Sequence, residues 1–207
     1  MKPINELTRR GKLRRMRSFA THALAQYPLE VRRADLIGTD TNLIYRVTTS
    51  DGARYILRLA FPGWRTVENA EAEIMWLDAL ARDTDIPVPK VIRTRTGEAM
   101  VKMPDGEIER RAVLMTYLPG TLLGKRLTEG NLFKMGALFG KLHLHGKAWQ
   151  PPGGVAARAV GGGRWRGGPG AAAGGAYPGA FSIHLAGAQV AHMLQAMHCG
   201  LPSGRRV

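Results

Sequence analysis

The chain has 207 residues, 44% of them hydrophobic, which is length and apolar content enough for a sizeable core and argues against wholesale disorder. No run of 18 apolar residues is present, the charged segment Lys2–Arg17 lacks the apolar core of a secretory leader, and the single cysteine, Cys199, permits neither an internal disulfide nor a cysteine-based metal site, so a cytoplasmic protein is expected. The net charge of +14, from 30 Lys and Arg against 16 Asp and Glu, is unevenly placed: every acid lies at or before Glu129, and Asp105 is the last aspartate.

Four zones follow one another. In residues 1–34, Leu7, Leu13, Met16, Phe19, Ala20 and Leu24 recur among Arg9, Arg10, Lys12, Arg14, Arg15 and Arg17. That spacing predicts an amphipathic helix whose basic side is either a solvated face or a contact for phosphate or anionic lipid.

Residues 35–119 read as strands around one helix. Leu43–Val47 and Tyr55–Leu59 are rich in β-branched and aromatic residues, and Ser50-Asp51-Gly52 supplies a tight hairpin turn between them. Thr66 is a candidate N-cap with Glu68 in the first turn, and Glu73, Ile74, Trp76, Leu77, Leu80 and Ala81 continue a helical stripe. Pro87 and Pro89 lead into Val91-Ile92. A further strand pair follows, bounded by Thr96-Gly97 and Pro104-Asp105-Gly106; its second strand is the apolar run Ala112–Met115, which stops at Tyr117-Leu118-Pro119-Gly120.

In residues 120–150, Thr128 is placed to cap a helix whose apolar face carries Leu132, Phe133, Met135, Leu138, Phe139 and Leu142. Residues 151–207 hold 14 glycines, no lysine and no acid, and are predicted to be a disordered Gly/Ala-rich tail. Their Gly, Ala, Arg and Pro composition also reads as a GC-rich gene translated out of frame from near residue 152. An apolar run at 181–197 is read as chance.

Four segments, in this order, resemble the aminoglycoside phosphotransferase family, which includes choline-kinase-like and homoserine-kinase-like enzymes. Gly38-Thr39-Asp40-Thr41-Asn42 before Leu43–Val47 is similar to the loop and strand that cover nucleotide phosphates. Arg54–Leu59 is similar to the strand carrying the phosphate-binding cation, and Ala70–Leu77 to the helix whose glutamate pairs with it. Val113–Gly120 resembles the hinge between lobes, and the helix ending Gly140-Lys141-Leu142-His143 the first helix of the large lobe.

The resemblance implies an α+β fold: a protein-kinase-like N-lobe with an antiparallel sheet and one main helix, then one C-lobe helix and the tail. It also implies ATP with Mg as cofactors, and a small-molecule hydroxyl as acceptor. The nucleotide-binding residues become Gly38, Thr39, Asp40, Thr41, Asn42, Arg58, Glu73, Met115, Thr116, Tyr117 and Leu118. Arg58 and Glu73 are the expected ion pair; most members carry lysine at the first position, and arginine substitutes a planar fork for a compact ammonium.

Phosphoryl transfer also needs an aspartate to orient the attacking hydroxyl and carboxylate or amide ligands for the metal. The family provides them in an H-G-D-x-x-x-x-N loop and a later acidic strand end. Here His145-Gly146 is followed by Lys147, and residues 121–207 contain no aspartate, so no catalytic or metal-ligating residue can be named. A truncated, inactive phosphotransferase is the first expectation, and a non-catalytic nucleotide- or partner-binding lobe the alternative. A basic nucleic-acid-binding protein using the N-terminal arginines with Arg164, Trp165 and Arg166 ranks last, since no motif supports it. The α-helical face of Leu132, Phe139 and Leu142 is expected to be exposed.

Overall fold

The computed structural model describes residues 4–39, 42–60, 67–106, 108–120, 123–150 and 152. Asp40, Thr41, Thr66, Glu107 and the Gly/Ala-rich segment with its 181–197 run lie outside the described residues. The elements in chain order are α1 (Arg9–Leu24), β1 (Val31–Gly38), β2 (Asn42–Thr49), β3 (Arg54–Ala60), α2 (Val67–Asp83), β4 (Val91–Ile92), β5 (Val101–Asp105), β6 (Ile108–Thr116) and α3 (Glu129–Ala148). β1 begins four residues ahead of the boundary drawn at residue 35.

The strands form one antiparallel sheet in the order β1-β2-β3-β6-β4, with β5 pairing the first half of β6. The β2–β3 turn is tightened by Asp51, which accepts from the Thr49 hydroxyl and the Ala53 N–H. Gly52 follows at φ 85°, a left-handed conformation that a side chain disfavours.

Strand alternation divides the apolar residues between two cores. Leu43, Tyr45, Val47, Leu57, Leu59, Ala112 and Leu114 face α1, which contributes Met16, Ala20, Ala23 and Leu24 at helical spacing. Ile44, Ile56, Val113 and Met115 face the other way, onto Ile74, Trp76, Leu77 and Leu80 of α2. The N-terminal helix is therefore a packed layer of the lobe. Thr8 caps it, its hydroxyl accepting from the Gly11 N–H at 3.2 Å.

The α1 layer also buries charge. Arg110, fully buried on β6, donates from Nε to Asp105 at 2.8 Å, and Arg15 of α1 pairs with the other oxygen of the same carboxylate. The Phe19 ring lies 6.0 Å from the Arg110 guanidinium. Arg15 thus leaves the solvated basic face and ties α1 to the β5–β6 hairpin.

Thr128 caps α3, accepting from the Asn131 N–H at 3.2 Å. The helix docks on the α2 side of the lobe. Leu142 is 1% exposed in the α2 core, with Leu138, Phe139 and Trp149 packed around it. The expectation that Leu132, Phe139 and Leu142 are exposed together is corrected: Leu142 is buried and Phe139 partly so, because the lobe itself covers that side of the helix. Leu132 is exposed, as are Phe133 and Leu144.

Candidate functional site

Arg58 sits at the centre of β3, opposite Ile44 of β2 and Val113 of β6, and its parity directs it to the α2 face. Glu73 lies on the inward side of α2, a turn before Leu77. The two side chains meet fork to fork, Nη1–Oε1 at 2.5 Å and Nη2–Oε2 at 3.0 Å, with 10% and 4% of their side-chain surfaces exposed. Such bidentate pairing fixes the guanidinium plane as well as its position. A small cleft opens beside the pair, lined by Asn42, Arg58, Glu73, Arg111, Ala60 and Val113 among others.

Arg111 was not among the residues expected from the sequence. It is 8% exposed and lies two positions before Val113, on the same face as Arg58. The strand alternation that places Val113 in the α2 core also places Arg111 in the cleft, but Arg110-Arg111 reads in sequence as a solvated charged pair. Two guanidinium groups and one carboxylate therefore line the cleft, a balance suited to an anion.

The loop residues Gly38 and Asn42 flank the cleft side of the sheet: Gly38 ends β1 opposite Ile44, and Asn42 begins β2 opposite Ala60. Thr39 lies between β1 and the undescribed Asp40 and Thr41. Met115 is buried on the same face as Arg58, two residues beyond Val113. At the end of β6 the backbone is partly committed. Thr116 N–H donates to Lys90 O at 2.9 Å and Tyr117 N–H to Arg54 O at 3.3 Å, with the Arg54 guanidinium 4.5 Å from the Tyr117 ring centre. Leu118 packs against the α2 core.

His145, which stands where the resemblance leads one to look for a catalytic loop, is engaged in docking α3. Trp76 Nε1 donates to its Nδ1 at 3.1 Å, and its Nε2 lies 3.1 Å from Asp83 Oδ2. An indole nitrogen can only donate, so Nδ1 carries no proton and Nε2–H donates to Asp83. The Asp83 carboxyl is held below its usual range, first by Arg82 and then by His145. Lys141 pairs with Asp85 at 2.9 Å one turn earlier on α3 and holds that carboxyl low as well.

Asp105, the last aspartate, lies on the α1 face and is consumed by Arg15 and Arg110. It cannot reach the cleft on the opposite side of the sheet. Among the described residues no three His, Cys, Asp or Glu side chains come together as a metal site. No helix of the described residues is long and apolar enough to cross a membrane.

An antiparallel sheet, a helix delivering one glutamate to a central-strand cation, and a strand running out into a further helix make up a protein-kinase-like lobe. Residues 37–177 match the phosphotransferase enzyme family (APH), and the chain belongs to it. The matched span continues past the composition change at residue 151. Among solved structures, the chain resembles a microcompartment-associated aminopropanol kinase, with 25% identity and a TM-score of 0.59 over 67% of this chain and 43% of that one. It shares its fold with amicoumacin kinase hAmiN in complex with AMP-PNP, Ca2+ and Ami, at 21% identity and a TM-score of 0.56 over 69% and 42% of the two chains. An uncharacterized protein of Synechocystis sp. is 32% identical over 97 residues, which are 47% of this chain and 27% of the relative. The chain thus spans less than half the length of each of these relatives.

Proposed function

We propose that residues 1–207 carry the nucleotide-binding part of a cytoplasmic, ATP-dependent phosphotransferase for small-molecule hydroxyls, and that they do not transfer phosphate unaided. The bidentate Arg58–Glu73 pair beside a cleft with a second guanidinium, Arg111, is the observation that supports binding. In this reading the Arg58 and Arg111 guanidinium groups lining the cleft meet phosphate oxygens. Gly38, Thr39, Asp40, Thr41 and Asn42 form the covering loop in this reading. Along Met115–Leu118, a base edge would meet carbonyls and the Leu118 N–H, since the Thr116 and Tyr117 N–H groups are spent.

ATP, when bound, supplies the transferable phosphoryl group. The chain's own residues would hold and orient it. Binding and chemistry are separate claims, because metal-bridged phosphates and an acceptor-orienting aspartate are required for transfer. The described residues do not fit a bound Mg ion: no three His, Cys, Asp or Glu side chains come together among them, the cleft's one carboxylate, Glu73, is paired with Arg58, and no acid follows Glu129.

Calorimetry of the whole chain with ATP tests the binding half. Saturable binding that is lost in Arg58→Ala and retained in Phe133→Ala is expected; a chain that binds no ATP refutes it. For the chemical half, no phosphorylation of homoserine, choline or an aminoglycoside is expected, and turnover of any of them would overturn it. Saturable ATP binding without turnover by the chain in any assembly would instead favour a non-catalytic nucleotide-binding module.

A further inference from the structure

A second site lies on the opposite side of the sheet. Between α1 and β1 runs a groove of about 410 Å³. Ala20 and Leu24 of α1, with Leu29, Val31 and Ala34, make its floor, and Arg17, Arg32 and Arg33 stand along it. No acidic residue lines it. Arg33 is paired with Asp35 at 2.7 Å, whereas Arg17 and Arg32 form no ion pair among the described residues.

Tyr45 also lines the groove. It is 3% exposed, and its hydroxyl makes no hydrogen bond within the described residues. The ring is buried, but the hydroxyl is not sealed from solvent and is open to a ligand in the groove. The same phenol is pushed up by burial, an effect opposed by the positive charge of Arg17, so it remains a donor through neutral pH. One phenol donor and two guanidinium groups without an ion pair among the described residues therefore share an apolar-floored groove.

We propose that this groove binds a phosphate monoester carrying an apolar body, with the head held by Arg17, Arg32 and the Tyr45 hydroxyl. The body lies on Ala20, Leu24 and Val31. The site is independent of the Arg58–Glu73 cleft, since Tyr45 and Arg58 point to opposite faces of the sheet. The ester is either a soluble metabolite or a lipid headgroup, and the two sources share this chemistry.

The test is calorimetry of the full chain with octyl phosphate below its micellar concentration, and flotation with phosphatidylcholine vesicles with or without phosphatidic acid. Octyl phosphate is expected to bind more tightly than inorganic phosphate. Tyr45→Phe, which keeps the buried ring, should weaken it about tenfold. Arg17→Gln with Arg32→Gln, both at exposed positions, should weaken it by about tenfold or more. Arg9→Gln with Arg10→Gln removes the same charge outside the groove and should change affinity less than about twofold. Vesicle binding that falls in the groove variants identifies a lipid source; vesicle binding that is absent or unaffected by them identifies a soluble one. No binding of octyl phosphate, or an equal loss in the Arg9/Arg10 variant, would overturn the site.

Discussion

The Arg58–Glu73 pair can be separated into its stabilising and binding contributions by a double-mutant cycle. Arg58→Ala strands the Glu73 carboxylate, which is 4% exposed, without its bidentate partner. Removing one member of a buried pair costs about 3–5 kcal/mol, most of it the desolvation of the survivor. Glu73→Ala should fall at the low end of that range, because the Arg58 stem is long enough to swing its head toward solvent. Replacing both by apolar residues of similar volume, Arg58→Met with Glu73→Leu, leaves no charge behind and should cost no more than about 1–2 kcal/mol. Urea denaturation at pH 7 followed by circular dichroism gives the four stabilities. Against a total of about 5–15 kcal/mol the single changes are large, and the double variant should be visibly more stable than either. The same double variant, folded, should no longer bind ATP. Losses that add in the double variant would refute the coupling and, with it, the argument that Glu73 positions Arg58.

Leu142→Ala should cost about 3–5 kcal/mol by opening a cavity between α3 and the lobe, whereas Phe133→Ala, at a residue 78% exposed, should change stability by less than about 0.5 kcal/mol; equal effects in denaturant melts would mean α3 is not docked. Asp105→Asn should destabilise by about 3 kcal/mol or more, since two arginines lose their counter-charge in a site where Arg110 is fully buried, and a neutral result would count against the cluster. The Asp83 and Asp85 carboxyls are both held low by their partners, so their stabilisation is complete above the ordinary carboxylate range and is lost as pH falls through and below about 4. The acid unfolding transition followed by circular dichroism should therefore shift when both carboxylates are removed in Asp83→Asn with Asp85→Asn. An unchanged acid transition in Asp83→Asn with Asp85→Asn would remove these carboxylates as its cause.

The helices and most strands were legible because their signals are local. Helical spacing at Met16, Ala20 and Leu24, alternation in β2, β3 and β6, and a capping threonine at position 128 each specify an element from a few neighbouring residues. β1 was missed because Val31-Arg32-Arg33-Ala34-Asp35 alternates poorly. Its outward arginines face water at the edge of the sheet, and only its pairing with β2 makes it a strand. The cleft residues Arg58 and Glu73 were found through the family pattern. Arg111 and the Arg15–Asp105–Arg110 cluster were not, since burial of an arginine depends on partners 5 to 90 residues away that no local period encodes. The Trp76–His145 bond escaped for the same reason: it exists only because α3 returns to the end of α2.

The positions of the carboxylates bear on function more directly than their number. Asp51 shapes a turn, Asp78 pairs with Arg93, Asp83 and Asp85 fasten α3, Asp105 neutralises buried arginines on the far face of the sheet, and Glu73 is bound to Arg58. Each is held by a partner that would be stranded if the carboxylate moved to a metal or a substrate hydroxyl. Glu73 is the one carboxylate lining the cleft, and its charge is already spent on the cation that would meet phosphate. Under the proposed function, a lobe arranged in this way selects and orients an anion through Arg58 and Arg111, and these six carboxylates are not called on as base or metal ligand. Under the proposed function, nucleotide affinity and turnover are therefore expected to dissociate: substitutions at Arg58 or Arg111 should alter ATP affinity measured on the chain alone, and none at Asp51, Asp78 or Asp105 should alter it without first altering the fold.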